Sequence, residues 1–160
     1  MLYKKLLITT ILLLITSCSK PTYQSQKSAL IVIKTQSLKY ADMGFIYNNS
    51  DNTKVEIYSN GVASLSLEIY KNSICMGDFK CIEPNKFNNK FFASSYPKSF
   101  VTNIFNQRAI FGSKNLIKTS KGFIQKIKSD KYDIEYSLSA KKSIFRDKIN
   151  NILIKINIME

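Results

Sequence analysis

The chain reads as an α+β protein, mainly antiparallel β, in which a strongly curved sheet is covered by two or more short helices after an amino-terminal lipoprotein signal sequence. Three observations predict it. Short segments alternate apolar and polar residues with period two between Asn, Gly, Asp and Ser, as half-buried strands joined by turns require. In the middle of the chain the spacing turns helical, with Phe87, Phe91 and Phe92 at i, i+4, i+5 and Phe100, Val101, Ile104 and Phe105 repeating the pattern. The chain opens on MLYKKLLITTILLLITSC, a leader that ends in a cysteine.

Within the leader, Lys4 and Lys5 form the positive region, Leu6 to Ile15 the apolar region, and Ile15-Thr16-Ser17-Cys18 reads as a lipobox. The apolar run is about half the length that a bilayer crossing needs, so it reads as a signal and not an anchor. Small residues let the backbone enter a peptidase cleft, and the thiol of Cys18 is then placed for alkylation by a diacylglycerol. The alternative is an ordinary secretory signal with an incidental cysteine. Residues 1–17 are thus expected to be a signal peptide, 18–27 an acylated cysteine with a polar tether, and 28–160 a single domain.

Strands follow at ALIVI (29–33), LKYADMGFIY (38–47), KVEIYS (54–59) and ASLSLEIY (63–70), and SICMGDFKCI is expected to fold back as a hairpin. The two amphipathic helices come next, with Pro84 and Pro97 placed where first turns begin. GFIQKIK (122–128), DKYDIEYS (130–137), SIFRDK (143–148) and NILIKINI (151–158) return to strand, joined by Ser-Asp, Ala-Lys-Lys and Asn-Asn turns. Consecutive strands, two helices and a final meander make a curved sheet whose open side the helices can cover.

The formal charge of +13 falls to +11 when Lys4 and Lys5 leave with the leader. Such a balance suits nucleic acid, an anionic membrane or an acidic partner, and export removes nucleic acid. The alternative is compositional drift on a solvated surface, because the lysines are spread along the chain. Cys75 and Cys81 remain as an even pair, and in an oxidising compartment their spacing predicts a disulfide across a hairpin, two buried free thiols being the alternative.

The chain contains no histidine, so the usual general base and the Ser-His-Asp triad are excluded, no metal site is expected, and no Gly-rich loop cradles phosphate. Asp133 and Glu135 share a strand face beside Asp130, Lys128 and Lys131, and read as a solvated cross-strand charge set. No catalytic residue and no cofactor are expected.

SNGVASLSLEI, FNNKFFASSYPKSFVTNIF, GFIQKIKSDKYDIEY and NILIKINI resemble, in order and spacing, the LolB family of outer-membrane receptors, which accept lipoproteins from the periplasmic carrier LolA. The likeness spans roughly residues 38–158. It implies a half-barrel domain, lid helices and no chemical step. It further implies a monomer, lipid-anchored on the periplasmic face of the outer membrane, whose partners are the acyl chains of client lipoproteins and a LolA-like carrier. Family members carry an exposed apolar residue in the turn before the fourth strand. Here Gly61 and Val62 of Ser59-Asn60-Gly61-Val62 occupy that place as the membrane-insertion loop, with glycine ahead of the apolar residue. The tryptophans common in the family are missing from this chain.

Acyl chains in water cost roughly 0.8 kcal/mol per methylene, so their carriage needs an apolar cavity. Phe45, Val55, Ile57, Leu65, Leu67 and Ile69 from strands, with Phe91, Phe92, Phe100, Ile104 and Phe105 from helices, are expected to line it. The same residues can pack a filled core. In that case the chain is a structural or adaptor lipoprotein of an envelope assembly.

Overall fold

A computed structural model describes residues 23–77 and 80–159. The leader, Cys18 and the first residues of the tether lie outside the described residues. The elements run β1 (Ser25–Lys34), β2 (Lys39–Asn48), β3 (Asn52–Ser59), β4 (Val62–Tyr70), β5 (Ile74–Met76), β6 (Lys80–Ile82), α1 (Pro84–Phe91), α2 (Phe100–Phe105), a 3-10 turn at Phe111–Ser113, then β7 (Leu116–Thr119), β8 (Gly122–Lys128), β9 (Asp133–Ser139), β10 (Lys142–Asp147) and β11 (Ile152–Ile158).

All the strands join one sheet in the order β6-β5-β4-β3-β2-β1-β11-β10-β9-β8-β7. Every neighbouring pair is antiparallel, including β1 with β11, which ties the first strand to the last at the sheet's centre. Among the described residues β6 and β7 are the edges and do not pair with each other, so the sheet they form is open.

Period-two patterning decides what faces inward. On β3 it buries Thr53, Val55 and Ile57, on β4 Leu65, Leu67 and Ile69, and on β11 Ile152, Ile154 and Ile156. β1 adds Ala29, Ile31 and Ile33, and β8 to β10 add Phe123, Ile127, Ile134, Tyr136 and Phe145. Each fully buried large apolar side chain contributes roughly 1.5–3 kcal/mol relative to exposure. The helices lie on this face: Phe87 of α1 and Phe100, Val101, Ile104 and Phe105 of α2 belong to the same buried cluster.

Pro84 takes the first helical position of α1, where its missing N–H costs nothing. Pro97 does not open the second helix as its position suggested. It begins a turn, the Phe100 N–H donates to the Pro97 carbonyl at 2.9 Å, and α2 starts at Phe100. Three other boundaries differ from expectation. β1 begins at Ser25 and so takes in the end of the expected tether, β9 begins at Asp133, and β7 is an edge strand whose sequence LIKT shows no alternation.

The β3–β4 hairpin closes on Asn60 and Gly61, both with left-handed φ of 52° and 79°. Only a primed two-residue turn has that geometry, and it matches the twist of its strands. A bulge between Ile57 and Tyr58 re-aims the last part of β3. Turns 35–38, 60–61, 129–132 and 148–151 gather at one end of the strands, called the hairpin end. Turns 49–51, 71–73, 120–121 and 140–141 gather at the other, where Gln24 enters by donating its N–H to the Asn48 carbonyl at 3.0 Å.

Candidate functional site

The apolar face of the sheet and the segment 84–113 laid across it form the candidate site. That segment is short on helix and rich in rings. Phe87 contacts Phe91 and Phe92, Phe92 contacts Phe100, and Phe100 meets Tyr96 and Phe145 at centroid distances of 4.4 and 5.0 Å. The chain of rings runs on through Tyr136 to Phe123 on β9 and β8. Lid and sheet therefore share one aromatic core.

Polar side chains fasten the lid at a few points. At the hairpin end the Tyr96 hydroxyl donates to Asp147 Oδ2 at 2.6 Å, and both groups are buried. Asp147 also accepts from Asn150 Nδ2 at 2.7 Å and from the backbone N–H groups of Asp133, Ile149 and Asn150. Burial pushes its carboxyl up, but the hydrogen bonds from Tyr96, Asn150 and the backbone outweigh this and hold it below the ordinary carboxylate value. Burial, together with the same bond, raises the Tyr96 phenol far above its usual range.

At the opposite end Asn106 Nδ2 donates to Thr53 Oγ1 at 2.9 Å, and Thr53 donates to Asn48 Oδ1 at 3.1 Å. Where the segment leaves the sheet, Gln125 is fully buried. Its amide donates to the carbonyls of Ile110 and Lys114 and accepts from the Ile110 N–H. Within the lid, Asn88 Nδ2 donates to the Pro97 carbonyl at 2.9 Å, tying α1 to the turn that precedes α2.

Of the residues expected to line a cavity, Val55, Ile57, Leu65, Leu67, Ile69, Phe100, Ile104 and Phe105 are all on the inner face and at most 3% exposed. Phe91 and Phe92 are only half-buried, at the lid's edge. Phe45 does not belong with them. Gly44 and Ile46 take the inward positions of β2, so Phe45 points to the outer face, where its ring meets Tyr47 and Tyr58. The physical reason is a close approach: a β-carbon at Gly44 would collide with the Glu56 carbonyl of β3, so the inward side of the strand is glycine here.

On that outer face Lys54 pairs with Glu56 at 2.7 Å, and the Tyr58 hydroxyl donates to Glu56 at 2.9 Å. Burial, followed by the charge of Glu56, pushes the neighbouring Tyr47 phenol up to about 12. Val62 stands at the tip of the β3–β4 hairpin, 69% exposed, beside exposed Gly61. Cys75 and Cys81 are opposite each other on β5 and β6 and joined by a disulfide. In the carboxyl-terminal half Asp133 faces Lys128 across the ladder, and Glu135 lies 3.6 Å from Lys148.

The interior is occupied by side chains, which form a single buried cluster. Sequence reasoning missed Tyr96, Ile110, Gln125 and Asp147. Tyr96 and Asp147 lie 51 residues apart, so no local pattern announces them. Gln125 sits at an inward position of a clean alternation, and that parity was the one signal that marked it.

No family model matches the chain, and no curated protein matches its sequence. Among the described residues no helix is long and apolar enough to cross a membrane.

Proposed function

We propose that this is a LolB-like, lipid-anchored half-barrel receptor. It accepts acylated proteins from a periplasmic carrier and passes their acyl chains into the outer membrane. The observation that carries the reading is the construction of the covered face. An open sheet presents a continuous apolar surface, and what covers it is a ring-bearing strap with two helices of 8 and 6 residues, pinned by a few polar bonds. Such a cover can lift without unfolding the sheet, since the sheet's ladders do not include it. Acyl chains then take the place of Phe87, Phe92 and Phe100. Val62, apolar and exposed at a tight hairpin turn, is assigned to contact with the bilayer during insertion. Cys18 is assigned to lipidation.

A structural or adaptor lipoprotein is the second reading, favoured by the filled interior. The two part on one measurement. Among the described residues every core residue lies between Ala29 and Ile156, so a chain that begins at Ser19 retains all of them. It is expected to take up a fluorescent fatty-acid analogue, and Phe105→Glu to weaken that uptake, because a charge facing an acyl chain must be hydrated or neutralised. A folded wild-type domain that takes up no acyl chain overturns the receptor reading and leaves the adaptor.

A further inference from the structure

At the end of the sheet where Gln24 enters, a cleft of about 690 Å³ opens between the 49–51 turn, the 71–73 turn and helix α2. Lys27, Lys71, Lys98 and Arg108 line it, with Asp51 as the one acidic side chain among the described residues. None of the four cations has a carboxylate within ion-pair distance among the described residues, whereas Lys54, Lys86 and Lys148 each have one. One wall is built and neutral: Asn106 donates to Thr53 and to the Thr102 carbonyl, and Thr53 donates to Asn48, so these donors are spent in fixing the wall, and the side chains of Ser99, Thr102 and Asn52 supply the donors that face the cleft. Polar side-chain donors among four cations that lack a carboxylate partner suit a phosphate monoanion or diester.

We infer that this cleft binds the phosphate of anionic phospholipid headgroups and seats the entry end of the molecule on the bilayer. Two features beyond charge favour a membrane over a soluble phosphate. Cys18 precedes Gln24 by six residues, a reach of at most about 20 Å, so on the lipoprotein reading, on which this inference rests, the cleft is held close to the membrane surface. The cleft and Val62 also occupy the two ends of one ribbon, β3–β4, about 25 Å apart along the strand. Contacts at both ends lay that ribbon along the membrane plane, with the core residue Ile69 in the cleft wall at the headgroup level.

The test is vesicle co-sedimentation of the chain beginning at Ser19, which has no acyl anchor. It is expected to bind phosphatidylcholine vesicles containing phosphatidylglycerol and not pure phosphatidylcholine, with binding that falls as salt rises. Each basic residue near an anionic surface contributes about fivefold, so Lys71→Gln with Lys98→Gln should lower partitioning roughly thirtyfold. Lys118→Gln with Lys126→Gln, on β7 and β8 at the side of the sheet remote from the β3–β4 ribbon, removes the same charge and should change it much less. Equal losses from the two pairs would mean that net charge alone drives binding, and would overturn the site. Release by dilute inorganic phosphate, but not by chloride at matched ionic strength, would assign the cleft to a soluble phosphate and overturn the membrane role. The fatty-acid uptake of the same variants separates the two readings. If the cleft pair leaves vesicle binding unchanged while uptake persists, the docking site fails and the receptor stands. Vesicle binding that depends on the cleft, in a chain that takes up no acyl chain, supports the site and removes the receptor.

Discussion

Asp147→Asn tests whether one buried carboxylate locks the lid to the sheet. The native side chain is 1% exposed and accepts five hydrogen bonds, two of them from the side chains of Tyr96 and Asn150 at 2.6 and 2.7 Å. An amide of the same shape can keep the backbone bonds on its oxygen but turns its NH2 toward those two donors. Hydrogen bonds to a charged acceptor contribute about 1.5–3 kcal/mol each, and partial rearrangement of the Tyr96 hydroxyl recovers some of this. The expected loss is roughly 2–4 kcal/mol, a drop of roughly 10 °C in Tm for a domain of this size.

The effect carries a pH signature. The folded carboxyl titrates below its ordinary value, so its stabilisation is complete above the unfolded pKa, near 4. It is lost as pH falls through the lower folded value. Urea unfolding followed by circular dichroism should therefore show a wide gap between wild type and Asp147→Asn at neutral pH that narrows in acid. Tyr96→Phe keeps the ring contacts and removes one bond, and the double variant should be less destabilised than the sum of the two singles. A gap below about 0.5 kcal/mol at neutral pH, or one that stays constant into acid, would refute the locking role.

Other outcomes follow from the same structure. Phe100→Ala removes a fully buried ring at the lid–sheet junction and should cost about 3–5 kcal/mol, read from denaturant midpoints. Val62→Glu should leave stability within about 0.5 kcal/mol, since the site is exposed, while impairing delivery of an acylated protein into liposomes; unimpaired delivery would remove Val62 from the insertion step. Thiol alkylation of the unreduced exported protein should leave Cys75 and Cys81 unmodified, and replacing both by Ser should cost about 2 kcal/mol, the value for so short a loop. Cys18→Ser should abolish fatty-acid labelling and membrane partitioning, and labelling that persists would defeat the lipobox.

Composition and periodicity by themselves determined the antiparallel class, most strand positions and the inward faces of β3 and β4, because alternation there sets apolar against polar residues on opposite sides of a strand. They also marked the ring-rich helical middle and the facing cysteines, which depend only on local spacing. β2 resisted this reading: YADMGFIY carries apolar residues on both faces, so parity is ambiguous, and the crowding of Gly44 against β3 turned Phe45 outward. β7 was invisible because an edge strand with most of its residues exposed needs no pattern. Only the tertiary structure paired β1 with β11, left the sheet open between β6 and β7, filled the interior with lid rings and brought Tyr96 to Asp147. Those features join residues far apart in the chain, and their energy lies in burial and hydrogen bonding that exist only once the sheet has assembled.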